Sequence, residues 1–158
     1  MKLLRVIRKY SRYLFGIYMF ILIAVIVMKF PTGLVVGTIQ KWKAGEDVVR
    51  MSPQLLPLKT IVDYVKNVQS VHDWFFKNLA CNIVMFIPYG FLAPMLKRGS
   101  TPPMTCVIVS GILLSCFIEI FQYVTALGLC DIDDVILNTV GVLLGVIVYK
   151  ILYRRKIT

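Results

Sequence analysis

The sequence predicts an all-α membrane protein with four transmembrane helices and both termini in the cytoplasm. Three observations lead to this fold class. Of the 158 residues, 58% are hydrophobic and only 16% are charged, the apolar residues form long blocks, and basic residues flank these blocks on alternate sides. A soluble domain of this size needs more charge to cover its core, so lipid is the natural surrounding for the blocks. We expect a single domain covering residues 1–158.

Four apolar blocks are long enough to cross a bilayer, since about 20 helical residues span its hydrocarbon core. They cover about residues 13–28, 75–96, 104–124 and 135–153. Basic residues precede the first block, as in a signal peptide, but Met28-Lys29-Phe30-Pro31 follows it in place of a small-residue cleavage site. We therefore expect the first block to be an uncleaved anchor.

The basic residues predict the orientation of the chain. The N-terminus, the turn at 97–98 and the C-terminus together hold eleven basic residues and no acidic one, whereas the rest of the chain holds seven basic and eight acidic residues. This asymmetry is typical of cytoplasmic segments of membrane proteins. The segment 29–74 and the loop 125–134 are then extracellular. Because the basic residues flank apolar spans and form no separate module, we expect no binding of nucleic acid.

The extracellular segment contains one predicted amphipathic helix, which begins after Pro57. Ile61, Tyr64, Val65 and Val68 recur at helical spacing, and the opposite face is polar. Such a helix lies on the outer membrane surface or packs on the outer ends of the bundle, and the sequence leaves both arrangements open.

Polar residues in and beside the spans form the candidate site, because an unpaired polar group in lipid is costly. Asn82, Glu119 and Asn138 each lie about five residues inside the outer boundary of their span, which corresponds to a common depth of roughly 7–8 Å. If these spans pack together, the three groups can hydrogen-bond one another. The full candidate set is Asn78, Asn82, Glu119, Gln122, Asp131, Asp134 and Asn138.

Small residues in the fourth block predict close helix packing. Gly141 and Gly145 form a G-x-x-x-G pair on the face that carries Asn138. Such a pair lets a neighbouring backbone approach, and we expect it to bring Asn138 toward the helix that carries Glu119. Pro88 lies in the middle of the second block and should kink it, either harmlessly or by opening lateral access to the polar residues.

The cysteines predict neither a metal site nor a cofactor. Cys81, Cys106, Cys116 and Cys130 fit no zinc motif. Cys81 and Cys130 could approach each other near the outer surface, so a disulfide between them is left open. The single histidine, His72, is interpreted as an interfacial residue.

An ordered series of motifs resembles the VanZ-like membrane protein family. The series consists of the run from Asn82 to Gly90, the run Glu119-Ile120-Phe121-Gln122, and the run from Asp131 through Gly141 to Gly145. The segment from Leu56 to Ile61 also resembles that family, and the likeness covers roughly residues 52–150. The resemblance implies a multi-pass protein of the bacterial cell membrane, with a role in low-level resistance to teicoplanin-type glycopeptide antibiotics. Many members carry an arginine near the position of Leu129, so any anion-binding role of that arginine does not carry over.

Three functions are compatible with these residues. In the first, the polar site acts at the outer leaflet on a lipid-linked headgroup or on the envelope surface that a lipoglycopeptide must reach. In the second, the chain is an intramembrane enzyme for a lipid-linked cell-wall precursor, with Glu119 as general base and Asp131, Asp133 or Asp134 holding a divalent cation. In the third, the polar groups only join the helices of a structural or partner subunit. The expected partners are membrane lipids, together with a lipid-linked cell-wall precursor or a lipoglycopeptide.

Overall fold

The computed structural model describes residues 2–28, 32–48, 52–66, 72–97 and 102–154. Within these ranges the regular structure is helical, apart from an isolated parallel β-bridge between Gln54 and Asp131. The helices are α1 (Lys2–Met28), α2 (Thr32–Ala44), α3 (Lys59–Lys66), α4 (His72–Leu92), α5 (Met104–Val124) and α6 (Ile132–Arg154), and a 3₁₀ turn (Ala93–Met95) follows α4.

Three of these helices are long and apolar enough to cross a membrane, and a fourth is shorter. The long candidates are Val6–Ile26, Met104–Val124 and Ile132–Leu152, and the shorter apolar helix is Leu79–Met95. The chain is therefore a multi-pass membrane protein. The predicted span at 75–96 corresponds to α4 and the 3₁₀ turn that follows it.

The predicted bounds differ most at the first and fourth blocks. Helix α1 begins near the N-terminus and so includes the basic residues that precede the apolar block. Helix α6 begins at Ile132, a few residues before the predicted span, because Asp131 caps it. Helix α5 has the predicted bounds.

Helices α4 and α6 make the most extensive contact in the bundle. Helix α5 packs along α6 and against α4, while α1 lies outside this group and contacts α4 and the 3₁₀ turn. Side chains from all four helices meet in one buried apolar core, which consists of Leu22, Phe86, Tyr89, Val107, Val142 and Val146.

Glycines allow the backbones of α4 and α6 to touch. A Cβ atom at Gly141 would overlap the carbonyl oxygen of Ile83, and one at Gly145 would overlap the carbonyl oxygen of Ile87. Gly90 makes the matching approach from α4 toward the backbone of α6. The glycine pair therefore faces α4 and not α5, the helix that carries Glu119. The reason is that α4 supplies a glycine of its own at the contact, which brings the two backbones together.

Helix α1 is attached to α4 by two hydroxyl groups and an aromatic contact. The hydroxyl of Tyr18 donates to the carbonyl of Met85 at 2.9 Å, and that of Ser11 donates to the carbonyl of Met95 at 3.2 Å. The ring of Phe15 lies 5.6 Å from that of Tyr89.

Helix α4 continues through its internal proline to Leu92. This proline therefore does not end the helix, and lateral access beside it stays a prediction.

Substitution of Gly145 tests the contact between α4 and α6. We expect Gly145→Ala to lower the free energy of unfolding by about 1–3 kcal/mol, because its methyl group would overlap the backbone of α4. Gly16→Ala is the matched control, since nothing lies within 4 Å of a Cβ built there, and alanine is the better helix former by ~1 kcal/mol. Thermal unfolding of the detergent-solubilised protein measures both. Equal stability of the two variants would contradict the close contact.

Candidate functional site

We call the end of α5, residues 125–131 and the start of α6 the acidic end of the bundle. Asp131 lies there and caps the N-terminus of α6. The carboxylate of Asp131 accepts the backbone N–H of Asp133 at 2.9 Å, as expected of an N-cap residue. The backbone N–H of Asp131 donates to Oε2 of Glu119 at 3.1 Å. Glu119 is 3% exposed. This carboxylate from the last turns of α5 thus fixes the backbone where α6 begins.

The neighbouring aspartate caps a different helix. Asp133 is fully buried, and its two carboxylate oxygens accept the backbone N–H groups of Leu58 at 2.5 Å and Ile61 at 3.2 Å. The hydroxyl of Thr60 donates to Asp131 at 2.7 Å. Two carboxylates from the start of α6 therefore satisfy the N-terminus of α3, where unpaired N–H groups and the helix dipole favour negative charge.

A β-bridge continues this attachment. The N–H of Gln54 donates to the carbonyl of Cys130 at 2.8 Å, and the N–H of Ile132 donates to the carbonyl of Gln54 at 3.0 Å. Leu58 adopts a left-handed conformation with φ of 64°, which costs a residue with a Cβ roughly 1–2 kcal/mol. The segment before α3 is therefore held against the bundle at several points and includes one strained residue.

The predicted amphipathic helix corresponds to α3, and its N-terminus packs on the bundle end through α6. Of the predicted apolar face, Ile61 is half-buried. Val68 and the side chains of Tyr64 and Val65 lie outside the described residues. The contacts of the N-terminus of α3 support packing of this helix on the bundle. Which surface the rest of its apolar face covers stays a prediction.

A second polar contact lies deeper between α5 and α6. The side-chain amide of Asn138 donates to the hydroxyl of Ser115 at 2.8 Å. Ser115 is fully buried and Asn138 is 5% exposed. The amide oxygen of Asn138 has no hydrogen-bond partner among the described residues. Asn138 therefore reaches α5, as predicted, but its partner Ser115 lies one turn before Glu119. The polar groups that were predicted to share one depth thus lie at two depths.

The remaining candidates have different surroundings. Asn82 and Gln122 are buried, and Asp134 is half-buried in the first turn of α6. The backbone carbonyl of Gln122 accepts the N–H of Leu127 at 3.1 Å, which with the left-handed Ala126 forms a Schellman ending of α5. Asn78 belongs to α4, but its side chain lies outside the described residues.

The carboxylate oxygens of the acidic end already accept hydrogen bonds from the chain. Both oxygens of Asp131 and both of Asp133 have a backbone or hydroxyl donor. No group of three or more metal-ligating side chains is arranged around a common point in the part of the chain that the structure describes. These aspartates therefore act as helix caps here, and the arrangement does not favour a cation-binding role for them.

The cysteines are free thiols, so Cys81 and Cys130 are not joined. Burial raises the pKa of the Cys130 thiol, and the negative charges of Glu119 and Asp131 raise it further. A smaller fraction of this thiol is thiolate near neutral pH than for an ordinary cysteine, so it should react slowly there.

Thr60 and Ser115 were outside the predicted site, and Asp133 was predicted only as a possible cation ligand and not as a helix cap. An aspartate within two residues of another, just before an apolar run, is itself an N-cap signal, and it could have identified the caps. Ser115 gave no signal, because a serine within an apolar block also suits simple helix packing.

Removal of the Asp133 carboxylate tests its role as a cap. In Asp133→Ala we expect hydrogen exchange at the amides of Leu58 and Ile61 to accelerate ~10–100-fold, since a hydrogen bond to a charged group contributes ~1.5–3 kcal/mol. Asp47→Ala, at an exposed position after α2, is the control and should leave both amides unchanged. Unchanged exchange in Asp133→Ala would show that other contacts hold this segment.

Comparison with known proteins adds to this geometry. The sequence model of the VanZ/LLP1 family matches residues 15–153. Protein VanZ of Enterococcus faecium is 40% identical over 76 residues, which are 47% of this chain and 45% of VanZ, so the match spans less than half of that relative. No solved structure matches the chain. Because the family match covers most of the chain, including α4, α5 and the acidic end, this chain belongs to the VanZ/LLP1 family.

Proposed function

We propose that this chain gives low-level resistance to teicoplanin-type lipoglycopeptides through a polar site in the outer leaflet. The site would act on a lipid-linked headgroup or on the envelope surface that such a drug must reach. Family membership and the partial likeness to Protein VanZ support this role. The proposal includes a four-span arrangement with both termini in the cytoplasm, in which α4 is the short span.

One observation carries the proposal: polar side chains are buried between helices at the acidic end, although burial in lipid disfavours them. Glu119 is 3% exposed within α5, and a carboxylate within a span costs several kcal/mol unless it has partners. Asn138, also buried, keeps an amide oxygen with no hydrogen-bond partner among the described residues. That oxygen is itself buried, so a hydroxyl or amide of a headgroup can donate to it only when the helices open beside it; simple helix packing would not require a buried acceptor without a donor.

The distribution of charge supports the orientation. The exposed cations Arg12, Lys97 and Lys150 lie near the opposite end from the aspartates. Basic residues mark the cytoplasmic side of membrane proteins. The proposed orientation therefore has the acidic end, and with it Glu119 and Asn138, on the outer side.

The alternatives are an intramembrane enzyme acting on a lipid-linked cell-wall precursor, and a structural or partner subunit. The hydrogen bonds of the acidic end favour binding over catalysis. Each oxygen of Asp131 and Asp133 accepts one N–H or O–H group of the chain, so a divalent cation held there would have to share these oxygens with those donors. Glu119 likewise accepts the N–H of Asp131, which gives it a positioning role at the start of α6.

The native Cys130 can report the orientation. With the other cysteines replaced by serine, a membrane-impermeant maleimide added to intact cells should label Cys130. Because its pKa is raised, labelling should be slow at neutral pH and faster as the pH rises, when more of the thiol is thiolate. Lys97→Cys in a cysteine-free background is the matched reporter for the opposite end and should react only after permeabilisation. The reverse pattern would overturn the proposed orientation.

Resistance itself can be tested in a teicoplanin-susceptible bacterium that expresses the chain. We expect Glu119→Gln and Asn138→Ala each to reduce the minimal inhibitory concentration to that of cells without the chain. Glu119→Gln removes the negative charge with little change of shape, and Asn138→Ala removes the whole side-chain amide. Leu113→Ala on the exposed face of α5 is the control and should protect like wild type. Protein abundance is measured by immunoblot in parallel. Full protection by both variants at normal abundance would refute the proposed site.

A further inference from the structure

The segment that joins the β-bridge to α3 exposes an unusual amount of apolar surface. We call residues 55–62 the leucine loop. Leu55 and Leu56 are each 63% exposed, Leu58 is 52% exposed and Val62 is 41% exposed. Adjacent exposed apolar side chains in a short segment usually mark a surface that binds something apolar.

The backbone of the leucine loop is nevertheless held firmly. The bridge of Gln54 fixes one end, and Asp133 accepts N–H groups from Leu58 and Ile61 at the other. The leucines are thus presented outward by a backbone whose own hydrogen bonds tie it to the bundle.

Leu58 also has an unfavourable conformation for its side chain. Its φ of 64° lies in the left-handed region, which glycine or asparagine adopts far more readily than a large apolar residue. The hydrogen bond from the Leu58 N–H to Asp133 offsets this strain. The side chain itself gains little from the fold, since half of it is exposed.

The position of the leucine loop identifies what covers it. Gln54 bridges Asp131, and the membrane-span candidate of α6 begins at the next residue, Ile132. The loop therefore lies beside the level at which α6 enters the membrane. At the same end of the bundle, Phe121 and Val124 of α5 are exposed toward the surroundings of the span, so the apolar surface of the loop lies near the lipid-facing surface of the bundle.

We propose that the leucine loop inserts Leu55, Leu56 and Leu58 into the boundary between headgroups and acyl chains of the leaflet at the acidic end. Lys59 is exposed next to Leu58, and its ammonium group can contact the phosphates of anionic lipids while its stem stays among apolar groups. The occupant is thus the bilayer of the protein's own membrane. This inference concerns the leaflet at that end, whichever side it faces, and does not depend on the resistance role.

Spin labelling of the full chain tests the insertion. A nitroxide is attached to Leu56→Cys after the four native cysteines are replaced by serine, and the protein is reconstituted in vesicles of phosphatidylethanolamine and phosphatidylglycerol. Collision with oxygen, which partitions into lipid, is compared with collision with a water-soluble nickel chelate. Leu113→Cys is the lipid reference because that side chain is 64% exposed within α5, and Glu46→Cys, at an exposed position after α2, is the water reference.

We expect the label at position 56 to favour oxygen over the nickel chelate, with a depth of about 5–10 Å below the phosphates. A label as accessible to nickel as the one at position 46 would show that the loop lies in water and would overturn the proposal. A label protected from both reagents would show that protein, either a second copy or another partner, covers the loop, and this would overturn it equally. Both outcomes leave the resistance assay unaffected, so the two proposals can fail separately.

Discussion

Two aspartates that lie two residues apart at the N-terminus of α6 organise this protein. Asp131 starts α6 and binds Thr60, while Asp133 accepts two backbone N–H groups at the start of α3. Buried carboxylates at the edge of a membrane need donors, and helix N-termini have donors without acceptors. The carboxylates therefore accept hydrogen bonds from the N–H groups that the helix N-termini leave unpaired. Because of this match, residues 54–61 have a defined place on the bundle.

The sequence allowed much of the fold to be predicted, because hydrophobic length and basic flanks are strong signals in membrane proteins. The spans at α5 and α6 and the helix of α3 follow directly from them. The partner of the glycine pair did not follow, since Gly141 and Gly145 show that a backbone comes close but not which one. Gly90 lies two residues after Pro88, in a run whose sequence predicts only a helix kinked by proline. Its role in packing is evident only from its close approach to the backbone of α6.

The candidate site was predicted as a set of residues, but its hydrogen bonds were not. Burial of Glu119, Asp131 and Asn138 agrees with the expectation that polar groups near spans are covered. Their partners are mainly backbone N–H groups and a serine hydroxyl, and a sequence pattern carries little information on such partners. The position of each residue along its helix predicted the approximate depth of these polar groups. The one-turn difference between Ser115 and Glu119 as partners was evident only in the structure.

The way in which α1 is held has a consequence for how such chains can diversify. Ser11 and Tyr18 reach carbonyl oxygens of α4 and the turn after it, and any hydroxyl at the right height could replace them because the acceptors are main-chain atoms. The family match begins at residue 15, after Ser11. The hydroxyl groups that hold the first helix can therefore change position with few compensating changes in α4, whereas its Leu22 belongs to the shared core. By contrast, the glycine contact of α4 with α6 tolerates almost no added atoms.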